Sequence, residues 1–419
     1  MASFVRNTGV SLLIAAVIAL SGCTLFRVKQ DVWRMERAVE LRGEVVGAAP
    51  DKAVAVILVR DHRGKKTIFN YSVRYGPGAF RFVMSPGSAY LFAYEDENGD
   101  LQYQKGEPAA WYGGMVAQMI TLQDGEVAEG LKIELMRAVP QGVDDYERPA
   151  RPTEGAIKLG RFTYSIGEVT NLDDKRFTEE QGKMGLFEPV HSAMLNGLGV
   201  YLLEPYDPKK VPVLYVHGAG GYPQEFRSLI EHLDRTKFQP WVMQYPSGFR
   251  LDVSRDLMVQ ALVELYAKYK FAKFVIVAHS MGGLVSRAGI NKIFHDYPDN
   301  PLSLFISIST PWDGVDTARL GVEHSPVVLP SWIDIAPESP FLQKLFEKPL
   351  PKTIRYYLLF GVVGGDGTDG AVPLTSEISL RAQADAERIY GYPENHTSIL
   401  RSDAVILRIN TLLQRSLQE

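Results

Sequence analysis

Phe274-Val-Ile-Val-Ala-His-Ser-Met-Gly-Gly-Leu-Val-Ser-Arg287 is the stretch on which the C-terminal part of the chain turns. It opens on a continuous apolar run rich in β-branched residues, which predicts a buried strand. It then passes into an amphipathic helical pattern, with Ser280 at the junction. Ala278, Gly282 and Gly283 around that serine are all small. Such a serine can be an ordinary helix N-cap. It can also be a hydroxyl held out at the end of a sheet for chemistry, and its surroundings discriminate between the two.

Working outward, further runs repeat the pattern. Val211–Val216, Pro240–Gln244, Leu302–Ser307 and Ile354–Phe360 read as strands. A helix is predicted up to about Asp234, and Leu257, Ala261, Leu265 and Tyr269 recur at helical spacing. Another helix closes the chain from about Ser402. Strands alternating with helices predict an α/β fold, a mostly parallel sheet with helices on both faces.

Ala278-His-Ser-Met-Gly-Gly283 resembles the nucleophile elbow of the α/β-hydrolases, usually written G-x-S-x-G, with Ala278 in place of the first glycine. A serine hydroxyl needs a base, and the base needs an orienting acid. The order in that superfamily is Ser, then Asp or Glu, then His. Downstream of Ser280 the histidines are His295, His324 and His396. The first lies on the helix after the elbow and the second in a cap-like insertion. Asn395-His-Thr-Ser398 resembles the catalytic-histidine loop of lipases and related esterases, which implies His396 as base. After the Ile354–Phe360 strand come Asp366 and Asp369. Asp369-Gly-Ala-Val-Pro373 resembles the D-G-x-V-P acid loop of the lipase branch, which implies Asp369. His217-Gly-Ala-Gly-Gly221 resembles the H-G-x-x-G oxyanion loop, so the amides of Ala219 and Met281 are the implied donors. His217 and His279 are then residues that pack and shape loops. The glycine-rich run Gly364–Pro373 is no phosphate cradle, because it carries two carboxylates and no Lys or Arg.

The whole chain has 419 residues, 46% hydrophobic and 22% charged, with 45 Lys and Arg against 49 Asp and Glu. This composition excludes a mainly disordered chain, and the net charge of −4 gives no electrostatic reason for a nucleic-acid partner. Its one cysteine, Cys23, excludes intramolecular disulfides and multi-cysteine metal sites. An apolar run of about eleven residues, Val10–Leu20, precedes it; a spanning helix would need about 20. Leu20-Ser-Gly-Cys23 resembles the lipobox of bacterial lipoproteins. That implies a signal peptide over 1–22, lipid (palmitate-type) attachment at Cys23, and membrane tethering in the cell envelope. Thr24 rather than Asp after the cysteine favours the outer membrane, facing periplasm or exterior.

Between these ends, 23–139 is expected to be a β-rich accessory domain. Val54–Val59, Thr67–Val73, Ala79–Met84 and Tyr90–Tyr94 are short strands between Gly- and Pro-rich turns, the pattern of a small β-sandwich. Phe80 to Glu107 resembles the prealbumin-like modules attached to secreted enzymes. Asp96, Asn98, Asp100 and Glu107 have calcium-loop offsets, but Leu101 stands where an EF-hand needs glycine, so a solvated hairpin turn is expected. The Pro- and charge-rich segment 140–155 reads as a linker, and 156–419 as the α/β-hydrolase domain. Ser309-Thr-Pro-Trp-Asp-Gly314 resembles a lipase stretch, S-T-P-H-x-G, with Trp312 in place of His. A cap insertion over about 314–350 follows, whose apolar residues either line an acyl pocket or pack the cap. The expected function is a serine esterase cleaving acyl or lipid esters, with no cofactor or metal. An acyltransferase or thioesterase using the same triad is the near alternative, and a non-catalytic tethered scaffold the distant one.

Overall fold

A computed structural model describes residues 22–62, 65–143, 146–147, 156–159, 162–297, 300–365 and 367–418. Residues 1–21 of the expected signal peptide, most of the expected 140–155 linker and Asp366 lie outside the described residues. Cys23 falls in the helix Gly22–Glu36. Among the described residues no helix is long and apolar enough to cross a membrane. The chain folds as two compact units. One comprises Trp33–Glu168 with Gln260–Lys270, and the other Val169–Val259 and Phe271 to the C-terminus with the segment before Trp33.

The first unit is a β-sandwich. One sheet has β1 (Val39–Val46) between β4 (Gly78–Met84), antiparallel, and β8 (Val127–Glu134), parallel. The other is built on β2 (Ala53–His62), antiparallel to both β3 (Lys65–Tyr75) and β5 (Gly87–Asp96). Short strands β6 (Ala109–Trp111) and β7 (Ile120–Leu122) pair with β5, and β9 (Tyr146–Glu147) with β3. A hairpin of β10 (Ala156–Leu159) and β11 (Phe162–Val169) follows. Alternation puts Val39, Leu41 and Val45 of one sheet against Val54, Val56 and Leu58 of the other, in one apolar core. The turn after β5 is a hairpin turn, but its key carboxylates are not solvated. Asp96 and Glu107 are buried. Asp96 accepts from the amides of Gly99, Asp100 and Leu101, and Glu107 from those of Glu97 and Gln104. Backbone amides of the loop therefore hold both carboxylates in place.

The second unit holds the sheet that positions the site. Its strands lie in the order β12 (Leu198–Leu202), β14 (Phe238–Gln244), β13 (Val211–Val216), β15 (Phe274–His279), β16 (Leu302–Ile308), β17 (Arg355–Gly361), β18 (Arg388–Tyr392). All run parallel except β12, which is antiparallel to β14. Val213, Tyr215, Val275, Val277, Leu304 and Ile306 face one layer, where the closing helix Asp403–Ser416 presents Val405, Ile409, Leu412 and Leu413. Leu214, Ile276 and Phe305, which point the other way, are equally buried. Both faces are therefore covered, as continuous apolar strands require.

Between β16 and β17 lie three short helices, Asp316–His324, Pro330–Ile335 and Pro340–Leu345. They occupy the expected cap region. Trp332, Ile335, Leu342 and Leu345 are buried, so these apolar residues pack the cap itself. Arg250 pairs with the buried Asp334, and Arg287 donates to the Leu345 carbonyl. These contacts tie the cap to the helices beside it.

The segment Gln260–Lys270, the second half of the helix Leu251–Tyr269, contributes a buried carboxyl to the first unit. Glu264 accepts a hydrogen bond from the Tyr71 hydroxyl at 2.8 Å. Burial pushes Glu264 up to about 8, against hydrogen bonds that pull the other way. The neutral form is thus favoured on folding. Stability is undiminished below the unfolded value of 4.5, falls as pH rises from there, and has lost the full increment above about 8. Glu264→Gln should therefore raise the urea midpoint at pH 8 and leave it nearly unchanged at pH 4. An equal change at both values would show that ionisation of Glu264 has no part in it.

Candidate active site

Four loops at the C-terminal ends of parallel strands converge, the usual place for a site in such sheets. They follow β13, β15, β17 and β18 and carry His217–Gly221, Ser280, Asp369 and His396 respectively. Ser280 sits between β15 and the helix Met281–Asp296 with φ 54° and ψ −133°. That is a left-handed conformation which a serine adopts only under constraint. Its amide is fixed by the Ile308 carbonyl at 2.8 Å, across to the next strand. No N-cap hydrogen bond is made by its side chain, so the N-cap reading fails and the hydroxyl is left free for another partner.

The small neighbours are required by contact. A Cβ on Gly282 would stand 2.4 Å from the Val216 carbonyl oxygen and 2.5 Å from that of His217. One on Gly218 would meet the Ser280 Cβ at 2.6 Å. The elbow and the loop after β13 thus approach each other backbone to backbone. Ala278 replaces the elbow's first glycine inside β15, where its methyl group is fully buried.

His396 Nε2 lies 2.9 Å from Ser280 Oγ, and its Nδ1 lies 2.5 Å from Asp369 Oδ2. The two loops are also joined through the backbone, the His396 amide donating to the Asp369 carbonyl at 2.9 Å. Asp369 is fully buried, and its Oδ1 accepts from the amides of Ala371 and Val372 at 2.9 and 2.7 Å. Burial alone would raise its pKa, but the His396 hydrogen bond and charge and these amides overcome it, bringing it down to about 2. His396 is also lowered, but for a different reason: burial pushes it below the ordinary 6.5, with Asp369 opposing only in part. Asp369, Glu377 and His396 form a group that offers ligand atoms close enough for a metal ion. The Nδ1 atom and the Asp369 carboxylate are already bound to each other, so a cation there would have to break that pair.

The remaining residues implied by the sequence fall as follows. Neither the Ala219 nor the Met281 amide hydrogen-bonds another described residue, whereas Gly220 donates to Ser247 and Gly221 to the Gly218 carbonyl. His217 is buried and stacked on Tyr245, its Nδ1 on the Gly218 carbonyl oxygen. His279 contacts the His396 carbonyl oxygen through Nε2 at 2.8 Å and Glu225 through Nδ1 at 3.2 Å. Both shape loops, as expected. His295 and His324 are exposed, on the elbow helix and in the cap, away from this cluster. Sequence reasoning did not identify Glu225, Ser247, Glu377 or Gly182. A Cβ on Gly182 would come within 2.6 Å of the carbonyl oxygens of Gly220 and Gly221, so the helix Glu179–Phe187 seats directly on that loop.

Residues 250–389 match a family described as alpha/beta hydrolase of unknown function (DUF915). The matched segment includes the elbow and Asp369 and stops short of His396. No curated protein matches the chain. Among solved structures, the chain is similar to the mature form of the Bacillus licheniformis lipase BlEst2. Identity there is 18%, over 51% of this chain and 97% of that one, with a TM-score of 0.42. A Listeria innocua gene product gives 16% identity over 49% and 94%, TM-score 0.39. A thermophilic esterase from Thermogutta terrifontis gives 16% over 52% and 93%, TM-score 0.33. With a parallel sheet in this strand order, a strained serine turn after its β15 strand and the family match across that region, the second unit has the α/β-hydrolase fold.

Proposed function

We propose that this protein is a serine hydrolase of carboxylic esters, acting on acyl or lipid esters through Ser280, His396 and Asp369. The observation that carries the reading is the unbroken hydrogen-bond line from the buried Asp369 carboxylate through His396 to the Ser280 hydroxyl. Its three members come from the ends of three different strands.

In this mechanism Ser280 Oγ attacks the ester carbonyl carbon while His396 Nε2 takes the hydroxyl proton. Asp369 holds the tautomer that has its proton on Nδ1 and stabilises the imidazolium as it forms. The amides of Ala219 and Met281, which have no partner among the described residues, receive the oxyanion. Collapse expels the alcohol, which leaves with the proton from His396, and an acyl-Ser280 ester remains. Water, deprotonated by His396, attacks that ester; the carboxylic acid departs and Ser280 recovers its proton. Transfer to an alcohol in place of water would use the same acyl-enzyme, so product analysis on lipid esters separates the two outcomes. By its resemblance to a lipobox, Cys23 is the proposed lipid anchor that would hold the enzyme at a bacterial envelope membrane, the outer one by the Thr24 rule.

Ser280→Ala is expected to abolish hydrolysis of short p-nitrophenyl esters and labelling by a fluorophosphonate probe while leaving the melting curve in place. Full activity in that variant would sink the triad. Because burial depresses His396, the base stays neutral to lower pH than an ordinary histidine. The acid limb of kcat/KM should accordingly fall below pH 6.5, and a limb above 6.5 would contradict the site's electrostatics. Metabolic labelling with palmitate should mark the full chain and disappear in Cys23→Ala, with loss of the protein from the membrane fraction. Retention of both in the variant would remove the anchor.

A further inference from the structure

A second carboxyl group stands behind the proposed triad. Glu377 ends the short helix Leu374–Glu377 and is fully buried. Its carboxyl, the Asp369 carboxylate and a His396 ring nitrogen all lie within 4.8 Å of one another. It faces Asp369, the Ser309 hydroxyl and the Gly361 amide. Both Glu377 oxygens and the Ser309 hydroxyl are buried with no completed hydrogen bond among the described residues. Three orphaned polar atoms side by side in a protein interior call for an arrangement that pairs them.

Two carboxylates this close cannot both ionise in a buried place. The distribution of donors decides which one does. Asp369 receives three N–H groups, from Ala371, Val372 and His396. A carboxylate has about four lone-pair positions, so one on Oδ2 is left over. Glu377 forms no ion pair among the described residues, and burial together with the Asp369 charge pushes it up to about 9.

We infer that Glu377 is a protonated carboxylic acid whose O–H donates to Asp369, making it a positioning residue that holds the triad's acid against His396. Its carbonyl oxygen then accepts from the Ser309 hydroxyl and the Gly361 amide, so the orphaned atoms pair. The bond fixes Asp369 Oδ2 against rotation about the side chain. It also withdraws some negative charge from the oxygen that faces His396. The inference rests on the Ser280-His396-Asp369 reading above.

Two variants test it. Glu377→Gln keeps a neutral donor of nearly the same shape, and Glu377→Met removes the donor. Glu377→Met should lower kcat about tenfold to a hundredfold, as a mis-set catalytic group does, with KM little changed. Its acid limb of kcat/KM should move to higher pH, because an unshared Asp369 charge holds the His396 proton more tightly. Glu377→Gln should recover most of that kcat with the acid limb where the wild type has it. Infrared difference spectra at pH 7 should show a carboxylic-acid C=O band in the wild type that is missing from Glu377→Gln.

An acid limb that moves to lower pH in Glu377→Gln would mean that a negative charge had been removed, and would overturn the inference. So would a missing infrared band, or a Glu377→Met enzyme with unchanged kcat and limb. Should the Met variant fail to fold, the Gln variant and the infrared band still decide. If Ser280→Ala remains active, the triad reading fails and takes this inference with it. A missing band alongside an inactive Ser280→Ala protein sinks the Glu377 inference alone.

Discussion

The backbone turn at Ser280 is the constraint from which the rest of the site follows. At φ 54° the chain leaves β15 and enters a helix within one residue, and the amide of that residue is pinned to the Ile308 carbonyl of the neighbouring strand. The hydroxyl is therefore placed by the sheet, the stiffest part of the unit, rather than by a loop. The cost is crowding. The neighbouring loop must pass so close that Gly218 and Gly282 have no room for a Cβ. Asp369 and His396 reach the serine from the ends of other strands in the same sheet, so their spacing is fixed by the strand order.

Backbone crowding is what makes a site readable in a sequence. The elbow and the loop after β13 were evident because close approach leaves a trace of glycines and an alanine at set spacing. Asp369 and His396 could be picked out because each lies in a short loop of recognisable pattern just after a strand. Glu377, Glu225, Ser247 and Gly182 left no such trace. Glu225, Ser247 and Gly182 matter through neighbours remote in sequence, and Glu377, a glutamate on a one-turn helix, reads as a surface acid until the fold surrounds it. The same limit applies to the cap. Its apolar residues suit a pocket lining and a packed interior equally well by composition, and only their burial shows that Trp332, Leu342 and Leu345 serve the interior. The Asp96–Glu107 turn repeats the lesson in reverse: its carboxylates looked solvated because they are charged, yet backbone amides satisfy them below the surface.

Burial is common to Asp369, Glu377 and His396, so burial alone cannot explain why their protonation states diverge. It penalises the charged form of each. Asp369 remains ionised because backbone amides and the His396 ring repay its lost hydration, which leaves it near 2. Glu377, with the same chemistry, goes up to about 9, because burial and the Asp369 charge outweigh what the Ser309 hydroxyl and the Gly361 amide give back. His396 sits between an anion that favours its proton and a dry setting, with His279 beside it, that disfavours it. The second influence prevails. A base that is neutral before the reaction and beside an anion when it becomes charged is well suited to taking a hydroxyl proton.

The loop bearing His396 gains its precision from backbone contacts as well as from the ring. The His396 amide donates to the Asp369 carbonyl oxygen, and its own carbonyl oxygen meets His279 Nε2. His279 is the residue immediately before Ser280 and reaches Glu225 with its other nitrogen. His396 is thereby anchored on one side to the loop of Asp369 and on the other to the elbow that carries Ser280. A shift in any one loop is transmitted to the other two. His279 takes part in this coupling directly, and His217, stacked on Tyr245 with its Nδ1 on the Gly218 carbonyl oxygen, packs the loop after β13. They fill and hold the space in which the three loops must meet.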